Sequence, residues 1–137
     1  MKQIINSTLK NKYLVIIVFI ATVLRFWNIS SMPPSLNWDE ISHGYNAYSI
    51  LKTGKDEWGV IFPTIFQAYG DYKLPVYIYS VVPSIAIFGL NEFAVRLPSV
   101  LAGIGSVIFT YLLVGEIFKD DKNKKHYQLL STMLMAL

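Results

Sequence analysis

Twenty-two consecutive residues, Leu97–Phe118, carry one charge between them, Glu116. As a helix this run is about 33 Å long, enough to cross a hydrocarbon core of roughly 30 Å. A second apolar run, Tyr13–Leu24, has twelve residues and no charge, and it extends through Arg25-Phe26-Trp27 to Ile29. A third, Tyr127–Leu137, stops after eleven residues at the chain end. It reads as a helix cut in mid-span, and the chain as the front part of a longer protein. Hydrophobic residues make up 53% of the 137, more than a soluble domain of this size usually carries. The expected fold class is therefore an all-α integral membrane protein. Arg25-Phe26-Trp27 stands where a cleaved leader would place small residues, so the first run is read as a retained span. There are no cysteines, which excludes disulfides and thiolate metal sites.

Charge orients the spans. Lys2, Lys10 and Lys12 precede the first run without an acid. Between Asn28 and Pro98 lie four bases and six acids, net −2, whereas Lys119–His126 carries four lysines and two aspartates, net +2. Lysine-rich loops stay cytoplasmic. The N-terminus and residues 119–126 are thus expected inside, and residues 28–98 outside. This decides between two readings of Pro75–Leu90, which is apolar but only sixteen residues long and interrupted by Pro83. As a span it would put residues 119–126 outside, against their lysines. It is read instead as a helix on the outer membrane face, where tyrosines and a proline kink are tolerated. The full expectation is a span at 13–29, an outer loop at 30–96 with surface helices near 38–52 and 75–90, a span at 97–118, a basic turn at 119–126 and a truncated span at 127–137.

The outer loop holds the polar chemistry. Asn37-Trp38-Asp39-Glu40 reads as a helix start, with Asn37 as N-cap and Glu40 completing a capping box. Gly54 is placed to end that helix. Asp39, His43 and Asn46 recur at i, i+4 and i+7, with Tyr45 and Tyr48 beside them, which predicts a polar stripe facing a wet cavity. A carboxylate at the headgroup level can take a proton from an acceptor hydroxyl or amine. It can also merely complement the helix macrodipole. His43 has no second histidine nearby in the outer loop, so a zinc site of the usual kind is not supported. A divalent cation on carboxylates such as Asp39, Glu40 and Asp71 stays open. Lys73 can meet a lipid phosphate as a point charge or snorkel to the interface. Arg96 has Glu92 at i, i+4, or can reach a phosphate. Arg25, one turn inside the outer end of the first span, snorkels or faces the bundle.

The ordered set Arg25-Phe26, Trp38-Asp39-Glu40, Lys73-Leu74-Pro75, and Phe88-Gly89-Leu90-Asn91-Glu92-Phe93-Ala94-Val95-Arg96-Leu97-Pro98-Ser99 with Gly103 resembles the N-terminal part of the GT-C membrane glycosyltransferases. The similarity is to the superfamily of protein O-mannosyltransferases and lipid A aminoarabinose transferases, over about Arg25 to Phe118. It implies a polyprenyl-phosphate-linked sugar donor, a lipid, glycan or protein acceptor, and inverting transfer on the extracytoplasmic face, in a bacterial plasma membrane, with no nucleic-acid partner. It implies Asp39 as general base, Glu40 as its partner, Lys73 on the lipid phosphate and Arg96 as a supporting cation. Arg25, His43, Tyr45 and Asp71 are further candidates to line the substrate site. Relatives often carry an acid directly before the lysine. Here Tyr72 fills that place, and Asp71 stands in one residue earlier. Two other functions are consistent with the residues alone. A non-catalytic membrane subunit would not depend on Asp39. A lipid-linked glycan flippase or polymerase would place charges within its spans.

Overall fold

The computed structural model describes residues 11–137. Lys2 and Lys10, two of the three lysines that orient the N-terminus, lie outside the described residues. The elements run α1 Lys12–Phe26, α2 Trp38–Thr53, β1 Phe66–Ala68, β2 Asp71–Lys73, α3 Pro75–Phe88, α4 Glu92–Ile117 and α5 Lys124–Ala136. The chain is mostly helical and its described residues divide into two compact units, one of residues 28–99 and one of residues 11–27 with 100–137. The division falls inside α4, beside Pro98, a residue that removes one helical hydrogen bond.

In the second of these units, α1, most of α4 and α5 are the apolar helices. α4, with 26 residues, is about 39 Å long. It is the one helix among the described residues long and apolar enough to cross a membrane, and only 11% of its most apolar window is buried. That low burial separates it from the core helix of a soluble domain. α1 stops at Phe26, three residues short of the expected boundary. The cause is local: Trp27 N–H closes on Val23 O, and Asn28 takes a φ of 58°, a left-handed conformation that asparagine tolerates. Small and polar residues hold these helices together, as they must where lipid offers no hydrophobic drive. Ala21, Val107 and Ala136 are buried. The Gln128 amide donates to Tyr111 O at 2.9 Å and Asn11 donates to the Tyr111 hydroxyl at 2.9 Å. A Cβ on Gly103 would stand 2.8 Å from Arg25 Nε.

The unit of residues 28–99 has its own core. α2 starts as the sequence predicts: Asn37 Oδ1 accepts the Glu40 N–H at 2.8 Å, and Glu40 Oε2 accepts the Asn37 N–H at 3.0 Å. It ends at Gly54, whose φ is 71°. α3 spans only fourteen residues, about 21 Å. One face of it, Ile78, Val81 and Ile85, is buried with Ala47, Ile50, Phe66, Ala94 and Val95. Each Ile, Val or Phe side chain among them contributes about 1.5–3 kcal/mol on burial. The Tyr77 and Tyr79 hydroxyls donate to Val95 O and Pro63 O, both at 2.9 Å, so these rings close the edges of this core. Gly44 lets α4 approach α2, since a Cβ there would lie 2.8 Å from Val95 Cγ2.

The expected polar stripe on α2 is split. Asn46 is fully buried and faces no cavity. It donates to Glu57 Oε1 at 2.8 Å and accepts the Glu57 N–H at 3.1 Å, tying the loop after α2 back to the helix. Asn46→Leu should orphan both Glu57 groups, at about 1–3 kcal/mol each. The expected outcome is a lower thermal unfolding midpoint for the purified protein and earlier protease cleavage within 54–65.

Candidate active site

Two neighbouring carboxylates at the start of α2 have separate partners. Glu40 is turned inward. Its Oε1 accepts Arg96 Nε at 2.8 Å and its Oε2 accepts a second guanidinium N–H at 3.2 Å. Arg96 also donates to the carbonyls of Ile29 (2.9 Å), Pro33 (3.1 Å) and Ser35 (3.1 Å). All three guanidinium nitrogens are thus engaged, and the residue is only 7% exposed. This corrects two sequence expectations. Arg96 does not pair with Glu92 one turn away, because its side chain turns into the unit, and it has no donor left over for a phosphate. The guanidinium also holds the Glu40 carboxyl below the usual carboxylate range, the Asn37 amide adding to this while partial burial opposes it.

Asp39 faces the other way. Its side chain is 59% exposed, and its Oδ1 lies 2.9 Å from Lys73 Nζ. Lys73 also meets Asp71 Oδ2 at 2.9 Å, and its own side chain is 19% exposed. Hydrogen bonds from the ammonium to Asp39 and then Asp71 raise the Lys73 pKa above the ordinary lysine value. The same ammonium, with the Tyr72 N–H, lowers that of Asp71. This cluster is a partly buried cation held between two exposed carboxylates.

A β-hairpin that the sequence does not announce brings these groups together. β1 and β2 pair antiparallel with Phe66 opposite Lys73, Gln67 opposite Tyr72 and Ala68 opposite Asp71. The two-residue turn Tyr69-Gly70 has φ values of 50° and 80°, the positive pair that tight hairpins require. Tyr69 packs against Trp38 in a tilted pair with ring centroids 5.3 Å apart, which seats the hairpin tip at the start of α2. Phe66 and Ala68 are buried. Asp71 and Lys73 share a face of the ribbon, and Lys73 meets Asp39 there.

The remaining candidates fall out as follows. His43 is half-buried beside this cluster, its ring 5.0 Å from that of Tyr77. Desolvation lowers its pKa, opposed by Asp39, so it is neutral near pH 7. Tyr45 is 54% exposed and makes no side-chain hydrogen bond among those described. Arg25 belongs to the other unit and donates to the carbonyls of Ala136 and Met135, both at 2.9 Å. Asp39, Glu40 and Asp71 are not gathered around one point. No group of three or more metal-ligating side chains occurs among the described residues, and Arg96 and Lys73 already occupy the carboxylates in question.

Arg96→Ala should cost about 3–5 kcal/mol, because it leaves Glu40 partly buried without its partner. Arg96→Lys should not restore the loss, since one ammonium cannot replace a fork that binds two carboxylate oxygens and three carbonyls. Calorimetry of the purified variants checks both. The pH sign follows from the lowered Glu40 pKa. Its contribution is fully present above the unfolded carboxyl value of 4.5 and is lost as pH falls through the folded value. The gap in stability between wild type and Arg96→Ala should narrow on acidification below pH 4.5.

A family model for dolichyl-phosphate-mannose-protein mannosyltransferases (PMT) matches residues 15–137. No curated protein and no solved structure matches the chain significantly. The matched stretch contains Trp38-Asp39-Glu40, Lys73-Leu74-Pro75 and the whole of α4. The resemblance read from those motifs therefore holds at the level of the family, as does membrane association. All but the first fourteen residues fall inside the match, and the chain belongs to the dolichyl-phosphate-mannose-protein mannosyltransferase family of membrane glycosyltransferases.

Proposed function

We propose that residues 28–99 supply the proton-accepting and phosphate-binding groups of a mannosyltransferase that uses a polyprenyl-phosphate mannose donor. The observation that supports this most is the Asp39–Lys73–Asp71 cluster, where an exposed carboxylate shares one ammonium with a second carboxylate. In this reading Asp39 is the general base. The acceptor hydroxyl attacks the anomeric carbon, its proton passes to Asp39, and the carbon–oxygen bond to the lipid phosphate breaks. The electron pair leaves with the phosphate, and the anomeric configuration inverts. Lys73 stays protonated, consistent with its raised pKa, and meets the departing charge. The donor phosphate competes with Asp39 for the ammonium, so donor binding frees the base as it fills the site. Asp71 keeps Lys73 directed at the site. Glu40 and Arg96 act through position, fixing the start of α2. His43, neutral, lines the cluster.

The same reading puts residues 28–98 on the extracytoplasmic side, with the N-terminus inside, as the charge distribution supports. α3 then lies along the membrane face. Leu74 and Val76 are each 79% exposed and Ile87 73%, an apolar edge suited to lipid.

Asp39→Asn keeps the size of the side chain and removes the base. Mannose transfer by the intact protein should fall about 10²–10⁴-fold with the thermal unfolding midpoint unchanged. Near-normal transfer would reject Asp39 as base. Topology is checked by single cysteines, since the sequence has none. In intact cells an impermeant maleimide should label Lys55→Cys and not Asn123→Cys.

A further inference from the structure

The opposite face of the hairpin borders a cavity of about 530 Å³, lined by Asp56, Trp58, Val60, Ile65, Gln67 and Tyr72. Its polar group is unusual. Asp56 is only 5% exposed, yet no cationic side chain pairs with it among the described residues. Its Oδ1 accepts the Trp58 N–H at 2.9 Å and the Val60 N–H at 2.8 Å. Its Oδ2 has no protein donor among the described hydrogen bonds. Oδ2 is not a fully buried atom, so it stays open to a donor entering the cavity that Asp56 lines.

The walls supply what a cation wants besides a carboxylate. Trp58 is 61% and Tyr72 68% exposed, large values for aromatic rings that the fold holds in place. The Trp58 Nε1–H is already spent on Gln67 O at 2.9 Å, which fixes the indole and leaves its face open. Tyr72 is held by strand pairing with Gln67. Aromatic faces attract ammonium and guanidinium groups through the ring quadrupole. The net charge of −2 across residues 28–98 also favours a cation there.

We propose that this cavity is an acceptor subsite that binds a lysine or arginine side chain flanking the hydroxyl to be mannosylated. The inference rests on the reading of Asp39 as base and adds to it a polypeptide acceptor, the substrate that the matched family's name gives. Tyr72 lies between Asp71 and Lys73 on one strand, so alternation sends it to the cavity and them to Asp39. An acceptor chain crossing the hairpin edge meets both faces, its hydroxyl on one and its basic side chain on the other.

The test uses the intact protein and two fluorescent hexapeptides, each with one serine, one carrying lysine and the other norleucine in its place. Anisotropy reads binding, and mannose incorporation reads transfer. The lysine peptide should bind about tenfold more tightly. Asp56→Asn retains an Oδ1 that can accept the same two N–H groups but loses the charge, and should bring the preference within about twofold. Trp58→Ala should do the same, and calorimetry verifies that both variants are folded. Equal binding of the two peptides by the wild-type protein overturns the proposal, as does a preference that survives Asp56→Asn. A charge-dependent preference without any mannose transfer would uphold the subsite and reject the transferase reading instead.

Discussion

The guanidinium of Arg96 organises the unit that carries the candidate chemistry. It comes from the first turns of α4 and gathers three carbonyls between Ile29 and Ser35 with the Glu40 carboxylate at the start of α2. Without it the three carbonyls of that irregular segment would lose the side chain that ties them together. Glu40 answers twice, through Arg96 and through the N-cap amide of Asn37. One ion pair therefore sets both where α2 begins and which way its next-door carboxylate points. Asp39 is presented outward because Glu40 is held inward.

The second constraint is the seating of the hairpin. Its strands are three residues each, too short to be stable alone. Phe66 and Ala68 anchor it from beneath, and Tyr69 packs against Trp38 above. Tyr69 holds a left-handed conformation unusual for a tyrosine, and that contact accompanies it. The candidate groups thus lie on a helix start and a short ribbon.

Much of this was legible in the sequence. The capping box, the glycine that ends α2, the apolar length of α4 and the clustering of polar residues between 28 and 98 all have local causes, and local reasoning finds them. What escaped depends on distance along the chain. Arg96 and Glu40 are 56 residues apart, and a spacing rule could offer only Glu92. Asn46 sat on a plausible polar stripe, but its partner Glu57 comes from a loop with no periodicity. The hairpin was missed because Phe66–Ala68 and Asp71–Lys73 are too short for an alternation signal, and Gly70 was its sole turn marker. The early end of α1 followed from the backbone of Asn28, which apolarity does not report.

Register in the hairpin has an evolutionary reading. Since neighbouring residues on a strand face opposite ways, a one-residue deletion or insertion in the Tyr69-Gly70 tip would exchange the two faces at once. Tyr72 would swing toward Asp39, and Lys73 toward Asp56. Length at this turn is therefore far less free to drift than composition. A substitution alters the aromatic wall or the acid beneath it one at a time, whereas a change in the count of residues at the tip alters both faces together.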